Sequence, residues 1–88
     1  MDVLLKVSAK SNPNLVAGAM AGTIKESGRA QLQAIGAGAI NQAVKAVAIT
    51  RNMLLAQSGM DLVCIPSFVD LEIDDQIRTS IKLTVEPR

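Results

Sequence analysis

The chain predicts an α+β fold: a four-stranded mixed sheet with two helices packed on one face, elements running β-α-β-α-β-β. Three observations predict it. From Ile77 to Val85 apolar and polar residues alternate without a break, and Val69, Leu71 and Ile73 alternate with Asp70, Glu72 and Asp74 just before, the period of half-buried strands. Between Gln33 and Arg51 the chain passes from a short apolar run through Gly36-Ala37-Gly38 into a segment of helical spacing, which reads as strand, turn and helix. Val3 to Val7 is a run of strand formers, followed at Pro13 by a residue suited to the first turn of a helix.

Each element can be justified in order. Val3-Leu4-Leu5-Lys6-Val7 is the first strand, and Ser8 to Asn14 is a loop holding Lys10, Ser11, Asn12 and Pro13. The first helix runs from about Asn14 to Ser27, with Val16, Met20 and Ile24 at i, i+4 and i+8 as its core-facing row and Gly28 as its stop. Gly18 and Gly22 share a face beside Ala19 and Ala21, a spacing that suits tight packing on the sheet. Ala30 to Ile35 is the second strand, and the second helix runs from about Ala39 to Gln57, stopped at Ser58-Gly59. In that helix Ile40, Val44, Val47 and Arg51 or Leu54 form a row for the sheet, while Ala39, Ala43, Ala46, Ile49 and Met53 form a second apolar surface. Asn41, Lys45 and Asn52 leave too narrow a polar stripe for a helix with its back to water. Ala43, Ala46, Ile49 and Met53 are therefore expected to meet another copy of the chain in a dimer or tetramer. The third strand, Met60 to Ile73, contains Pro66, which cannot donate to a ladder and so marks an edge, a bulge or a bend. A three-residue loop, Asp74-Asp75-Gln76, would then set Ile73 opposite Ile77 and Glu72 opposite Arg78.

Composition narrows the function. The 88 residues suit a single domain over 1–88, and with hydrophobic residues at 49% and Phe68 the lone aromatic, the core must be built from Ala, Val, Ile, Leu and Met. The chain has no His, Trp or Tyr and one Cys, which removes most general bases, metal ligands and base-stacking platforms. No enzymatic activity, catalytic residue, metal, cofactor or small-molecule substrate is expected. Gly36-Ala37-Gly38 lacks the third glycine of a dinucleotide fingerprint, Asn41 standing there, and reads as a packing turn. Asp70, Glu72, Asp74 and Asp75 read as a solvated strand face with Arg78 as a partner. Cys64, within Leu62-Val63-Cys64-Ile65, reads as a buried, inert thiol. A single Cys, the lack of a leader-like segment and the lack of any apolar stretch of about 18 residues point to a cytoplasmic protein without a membrane partner.

Charge is unevenly spread. Residues 1–58 carry Lys6, Lys10, Lys25, Arg29, Lys45 and Arg51 against Asp2 and Glu26, a balance of +4, and residues 59–88 carry Arg78, Lys82 and Arg88 against six acids, a balance of −3. A basic front of this kind can steer a polyanion onto one face.

The order of elements and the central run resemble the stage V sporulation protein S family. The likeness is carried by Leu5-Lys6-Val7-Ser8-Ala9-Lys10-Ser11 with Pro13-Asn14, by Val16-Ala17-Gly18-Ala19, by the run from Gln33 to Ile49, and by Ile65-Pro66, Arg78-Thr79, Ile81-Lys82-Leu83 and Val85-Glu86-Pro87-Arg88. The resemblance implies a role in spore development, including septum and coat formation, in a family also found in bacteria that do not sporulate and to which no enzymatic activity is attached. More distantly, Ala34-x-Gly36 with Ala39-Ile40, Ala43-Val44 and Arg51 looks like the Alba fold of archaeal chromatin proteins. That likeness implies dimerisation through the second helix and nearby strands, and binding of DNA or RNA by the loop after the first strand and by the hairpin arm. The chain departs from it with Ser11 and Asn12 where a second lysine is typical, and with Asp74-Asp75 at the hairpin tip, which would repel phosphate.

Two functions follow as expectations. One is a sporulation-associated regulator that binds DNA or RNA as a dimer through Lys10, Ser11, Asn12, Asn41, Lys45 and Lys82, with Arg51 as a flanking charge. Lys10 would hold one phosphate while Ser11 or Asn12 donate to others, which positions the strand without base readout. The alternative is a non-enzymatic protein-interaction scaffold in septum or spore coat formation, without nucleic-acid binding.

Overall fold

Local signals set the helix ends. Asn12 is extended and its Oδ1 accepts the Asn14 amide at 2.9 Å, with Pro13 next, the arrangement of a capped helix start. Helix α1 accordingly spans Pro13–Ser27, and Gly28, at φ 84°, closes it by donating its N–H to the Ile24 carbonyl. Helix α2, Ala37–Ser58, begins two residues earlier than expected, directly after Gly36. Gly36 has φ 87° and ψ 158°, a backbone region open essentially to glycine alone.

This computed structural model describes residues 3–88; Met1 and Asp2, the latter counted among the acids of the first half, lie outside them. The strands are β1 (Leu4–Val7), β2 (Ala30–Ala34), β3 (Leu62–Ile73) and β4 (Gln76–Pro87), so the elements follow the expected order. The sheet is ordered β1-β2-β4-β3. Strands β1 and β2 pair in parallel and the other two pairs are antiparallel, which makes the sheet mixed. Strand β3 is an edge, and Pro66 sits in it opposite Leu83, one of the placements proline permits.

The hairpin register corrects the expectation by one residue. Asp74 (φ 51°) and Asp75 (φ 62°) form a two-residue turn, so Ile73 faces Gln76, Glu72 faces Ile77 and Leu71 faces Arg78. Two successive left-handed residues give the hairpin turn whose twist matches that of the strands. Aspartate tolerates that conformation through its short polar side chain. Because side chains alternate between faces, the one-residue difference moves Arg78 to the opposite face from Glu72.

The helices pack on β1 and β2, over the face carrying Val7, Ala30, Leu32, Ala34, Leu83 and Val85. Met20 and Ile24 are buried as expected, together with Ala17 and Ala21. The facing of α2 differs from the expectation: Ala39, Ala43, Ala46, Thr50 and Leu54 point inward, while Val44 is 53% exposed. The reason is close helix–helix approach. The two helices meet through alanines, and the buried Thr50 hydroxyl lies within hydrogen-bonding distance of both the Ala46 carbonyl (2.9 Å) and the Ala17 carbonyl of α1 (3.3 Å). Gly18 and Gly22 do not provide the tight packing expected of them; both are exposed, and a Cβ at either would meet no atom within 4 Å. Cys64 is exposed rather than buried. It shares the helix-bearing face with Val85, but the edge strand extends past the cover of the helices.

Candidate functional site

Alternation along the strands sorts the polar side chains. Lys6 pairs in register with Gln33, Gln33 with Lys82, and Lys82 with Ser67. Their neighbours Val7, Ala34 and Leu83 are buried under the helices, so this row lies on the helix-free face. Two inter-strand spacings separate Lys6 from Lys82, roughly 10 Å between backbones. On the hairpin arm, Leu71, Ile73, Arg78 and Lys82 share that face, whereas Asp70 and Glu72, opposite Thr79 and Ile77, occupy the other.

Where the arm passes the ends of β1 and β2 there is an open cleft of about 350 Å³. Lys6, Ser8 and Gln33 provide its polar lining, and Ile35, Leu71 and Ile73 provide apolar walls. Beside it the chain makes a tight turn: the Ser8 amide donates to Ser11 Oγ at 2.9 Å, the Lys10 amide to Ser8 Oγ at 3.2 Å, and the Ser11 amide to the Ser8 carbonyl at 3.1 Å. Gln42 Nε2 of α2 donates to the Ser11 carbonyl at 2.9 Å and fastens the turn to the helix.

The residues singled out from sequence do not form one cluster. Lys10 is exposed on this turn and Lys82 lies on the adjoining sheet face. Ser11 and Asn12 spend their side chains on the turn and on the α1 cap. Asn41 and Lys45 are exposed on α2, which packs on the other side of the sheet, and it is Gln42 that reaches the loop. Arg51 is held by Asp61, Nε to Oδ1 at 2.5 Å, and Arg88 approaches the same carboxylate at 3.3 Å. The hydrogen bond from Arg51, then the Leu62 amide, holds the Asp61 carboxyl below its ordinary range. Among the described residues, Lys6, Lys10, Lys45, Arg78 and Lys82 have no carboxylate partner. Sequence reasoning missed Lys6, Gln33 and Arg78; period-2 alternation in their own strands marks Gln33 and Arg78 as it does Lys82, whereas Lys6 lies in an apolar run without alternation and is aligned with Gln33 only by strand pairing.

The surface expected for self-association is rearranged. Ala43 and Ala46 are fully buried within the monomer and have no area to offer a partner. Ile49 and Met53 are half-buried, Met53 against the core. Apolar side chains are left open at Leu15 of α1, at Leu4 of β1, on the outer side of α2 at Val44, and on the hairpin, where Ile77 is exposed and Phe68 is 78% exposed beside Pro66 and Ile81. No helix among the described residues is long and apolar enough to cross a membrane.

Taken together, fold and site define a small α+β protein that presents a cationic sheet face opposite its two helices. The chain belongs to the stage V sporulation protein S family, whose family model matches residues 3–88. It is thus a sporulation-related protein.

Proposed function

We propose that this chain is a cytoplasmic, non-enzymatic regulator in sporulation that binds nucleic acid through its helix-free sheet face. The observation carrying the reading is the distribution of charge across the sheet: Lys6, Arg78 and Lys82 share one face, with Lys10 at its end and Glu86 as the one strand carboxylate there, far along β4 from the arm, and Asp70 and Glu72 lie on the other face. Cations without carboxylate partners favour a polyanion, because phosphate need not displace an existing ion pair. Asn41, Lys45 and Arg51 stand outside this footprint, and Ser11 and Asn12 serve it by shaping the turn that carries Lys10.

The test is fluorescence anisotropy with labelled DNA and RNA at salt between about 50 and 200 mM. Four phosphate contacts give a log–log salt slope of roughly −3, and Lys6→Ala, Arg78→Ala or Lys82→Ala should each flatten it by about 0.7–0.9. Lack of binding at the lowest salt would leave the interaction scaffold in septum or coat formation as the better account.

Self-association belongs to the same reading and rests on a separate observation, the exposed Phe68 on edge strand β3 with the exposed Ile77 on the same face of the arm. Large exposed apolar side chains on an uncovered edge strand favour a second copy of the chain.

A further inference from the structure

We infer that the cleft beneath the hairpin arm takes one unstacked nucleobase, which makes the chain a binder of single-stranded rather than duplex nucleic acid. The inference rests on the nucleic-acid reading above and names its substrate class. Three features of the cleft carry it.

The walls are apolar where a base needs a flat contact. Leu71 and Ile73 project from the arm on the same face as Lys6 and Gln33, and Ile35 completes the lining. The chain's one aromatic, Phe68, opposite Ile81 on the helix-bearing face, lies elsewhere, so aliphatic side chains would have to sandwich the base, as they do in pockets that hold flipped bases. The volume of about 350 Å³ falls at the small end of the ligand-site range of about 300–1,000 Å³, room for one base with its sugar and not for a stack.

Gln33 supplies the polar recognition. It is half-buried at the centre of the face, and its side-chain amide has no hydrogen-bond partner among the described residues. An amide offers a donor and an acceptor side by side, which matches the exposed edge of a base that is not paired.

The cations are spread along the rim. Lys6 and Lys82 sit roughly 10 Å apart across the sheet, with Arg78 further along the arm and Lys10 on the neighbouring turn. That spacing suits the successive phosphates of a strand rather than the one phosphate of a free nucleotide. A paired base could reach Gln33 only by leaving its stack, at an energetic cost that an unpaired base does not meet.

The experiment compares a labelled single strand of about 12 nucleotides with the duplex of the same sequence, using wild type, Gln33→Leu, Leu71→Ala and Lys82→Ala, each checked for an unaltered melting profile. A second reporter is 2-aminopurine within the single strand, whose fluorescence rises when the base leaves its neighbours, and a mononucleotide serves as competitor. The expected result is about tenfold or more tighter binding to the single strand, because a duplex must first meet the cost of unpairing and unstacking the base, a few kcal/mol. Gln33→Leu and Leu71→Ala should abolish the 2-aminopurine rise and the single-strand preference while duplex binding holds. Lys82→Ala should weaken both substrates alike, and the mononucleotide should compete poorly. Equal affinity for both substrates, or a preference untouched by Gln33→Leu and Leu71→Ala, overturns the cleft inference and leaves phosphate binding standing if Lys82→Ala still weakens both. Efficient competition by the mononucleotide overturns the strand assignment. Lack of binding to either substrate overturns both readings.

Discussion

A Cβ on Gly38 would come within 2.9 Å of the Ala9 Cβ, and Ala9 belongs to the turn that carries Lys10. Replacing Gly38 with alanine adds about 1 kcal/mol of helix propensity but introduces overpacking that costs about 1–3 kcal/mol. Gly38→Ala should therefore lower stability by roughly 1 kcal/mol, read by denaturant titration, and weaken nucleic-acid binding by displacing the turn. Cys64 is exposed, yet its surroundings push the thiol up from its ordinary value by desolvation. The native protein should react with a thiol reagent, and more slowly at neutral pH than a free cysteine, because less of the thiol is ionised. Asp61 behaves oppositely: its folded carboxyl lies below the ordinary value of 3.8. Its contribution to stability is present in full above that value and disappears as pH falls through the depressed one. Asp61→Asn should remove this part of the acid-induced loss below about pH 4 and leave the melting behaviour at pH 7 lowered only slightly, since the pair is exposed.

Among the elements, the hairpin and the two helices carry the functional consequences. Asp74 and Asp75 both hold positive φ, at a cost of about 1–2 kcal/mol for each residue with a side chain. The pair Asp74→Asn with Asp75→Gly should stabilise the arm by about 1 kcal/mol, measured as a raised melting temperature, and tighten nucleic-acid binding by removing two negative charges from the arm's tip. Gly18 and Gly22 face open space on α1, so each change to alanine should stabilise by about 0.5–1 kcal/mol, the reverse of the effect at Gly38. Element order and the helix stops at Gly28 and Gly59 were legible, and Pro66 narrowed its strand to an edge, a bulge or a bend, because capping chemistry, glycine and proline act locally; among those three the sheet order decides for the edge. The facing of α2 was not. Its residues are apolar nearly all round, so periodicity offered two equivalent rows, and the alanine row turned inward because α1 approaches closely enough for the Thr50 hydroxyl to lie 3.3 Å from the Ala17 carbonyl.

At the scale of the whole molecule, shape and exposed apolar surface point the same way. The chain measures 45 × 25 × 17 Å, and its accessible surface of 5386 Å² exceeds the roughly 4,900 Å² of a compact monomer of 9.2 kDa. The excess fits an arm that stands beyond the helices with Phe68 and Ile77 exposed. If that strip meets a second copy, Phe68→Lys should shift the protein to a monomer in sedimentation analysis with its fold unchanged, since the side chain makes little contact within the chain. A wild type that is already monomeric would remove association from the functional reading and leave the cationic face untouched.

By itself the sequence determined the α+β class, the order of six elements, the local stops and caps, the aliphatic core composition, and a family whose motifs run through the chain. These depend on short-range chemistry: periodicity, capping, proline and glycine. Tertiary structure alone decided which charges share a face. The sequence placed Lys10 and Lys82 among candidates but also Asn41 and Lys45, because on a linear chain they are all accessible polar residues. Packing of α2 on the opposite side of the sheet separated the two groups. A single residue of register in the hairpin freed Arg78 from Glu72, and strand pairing aligned Lys6, Gln33 and Lys82, residues 76 positions apart at their extremes. Such a row exists only once strands distant in sequence are hydrogen-bonded, since the faces of paired strands must coincide while the order of residues along the chain leaves their alignment open.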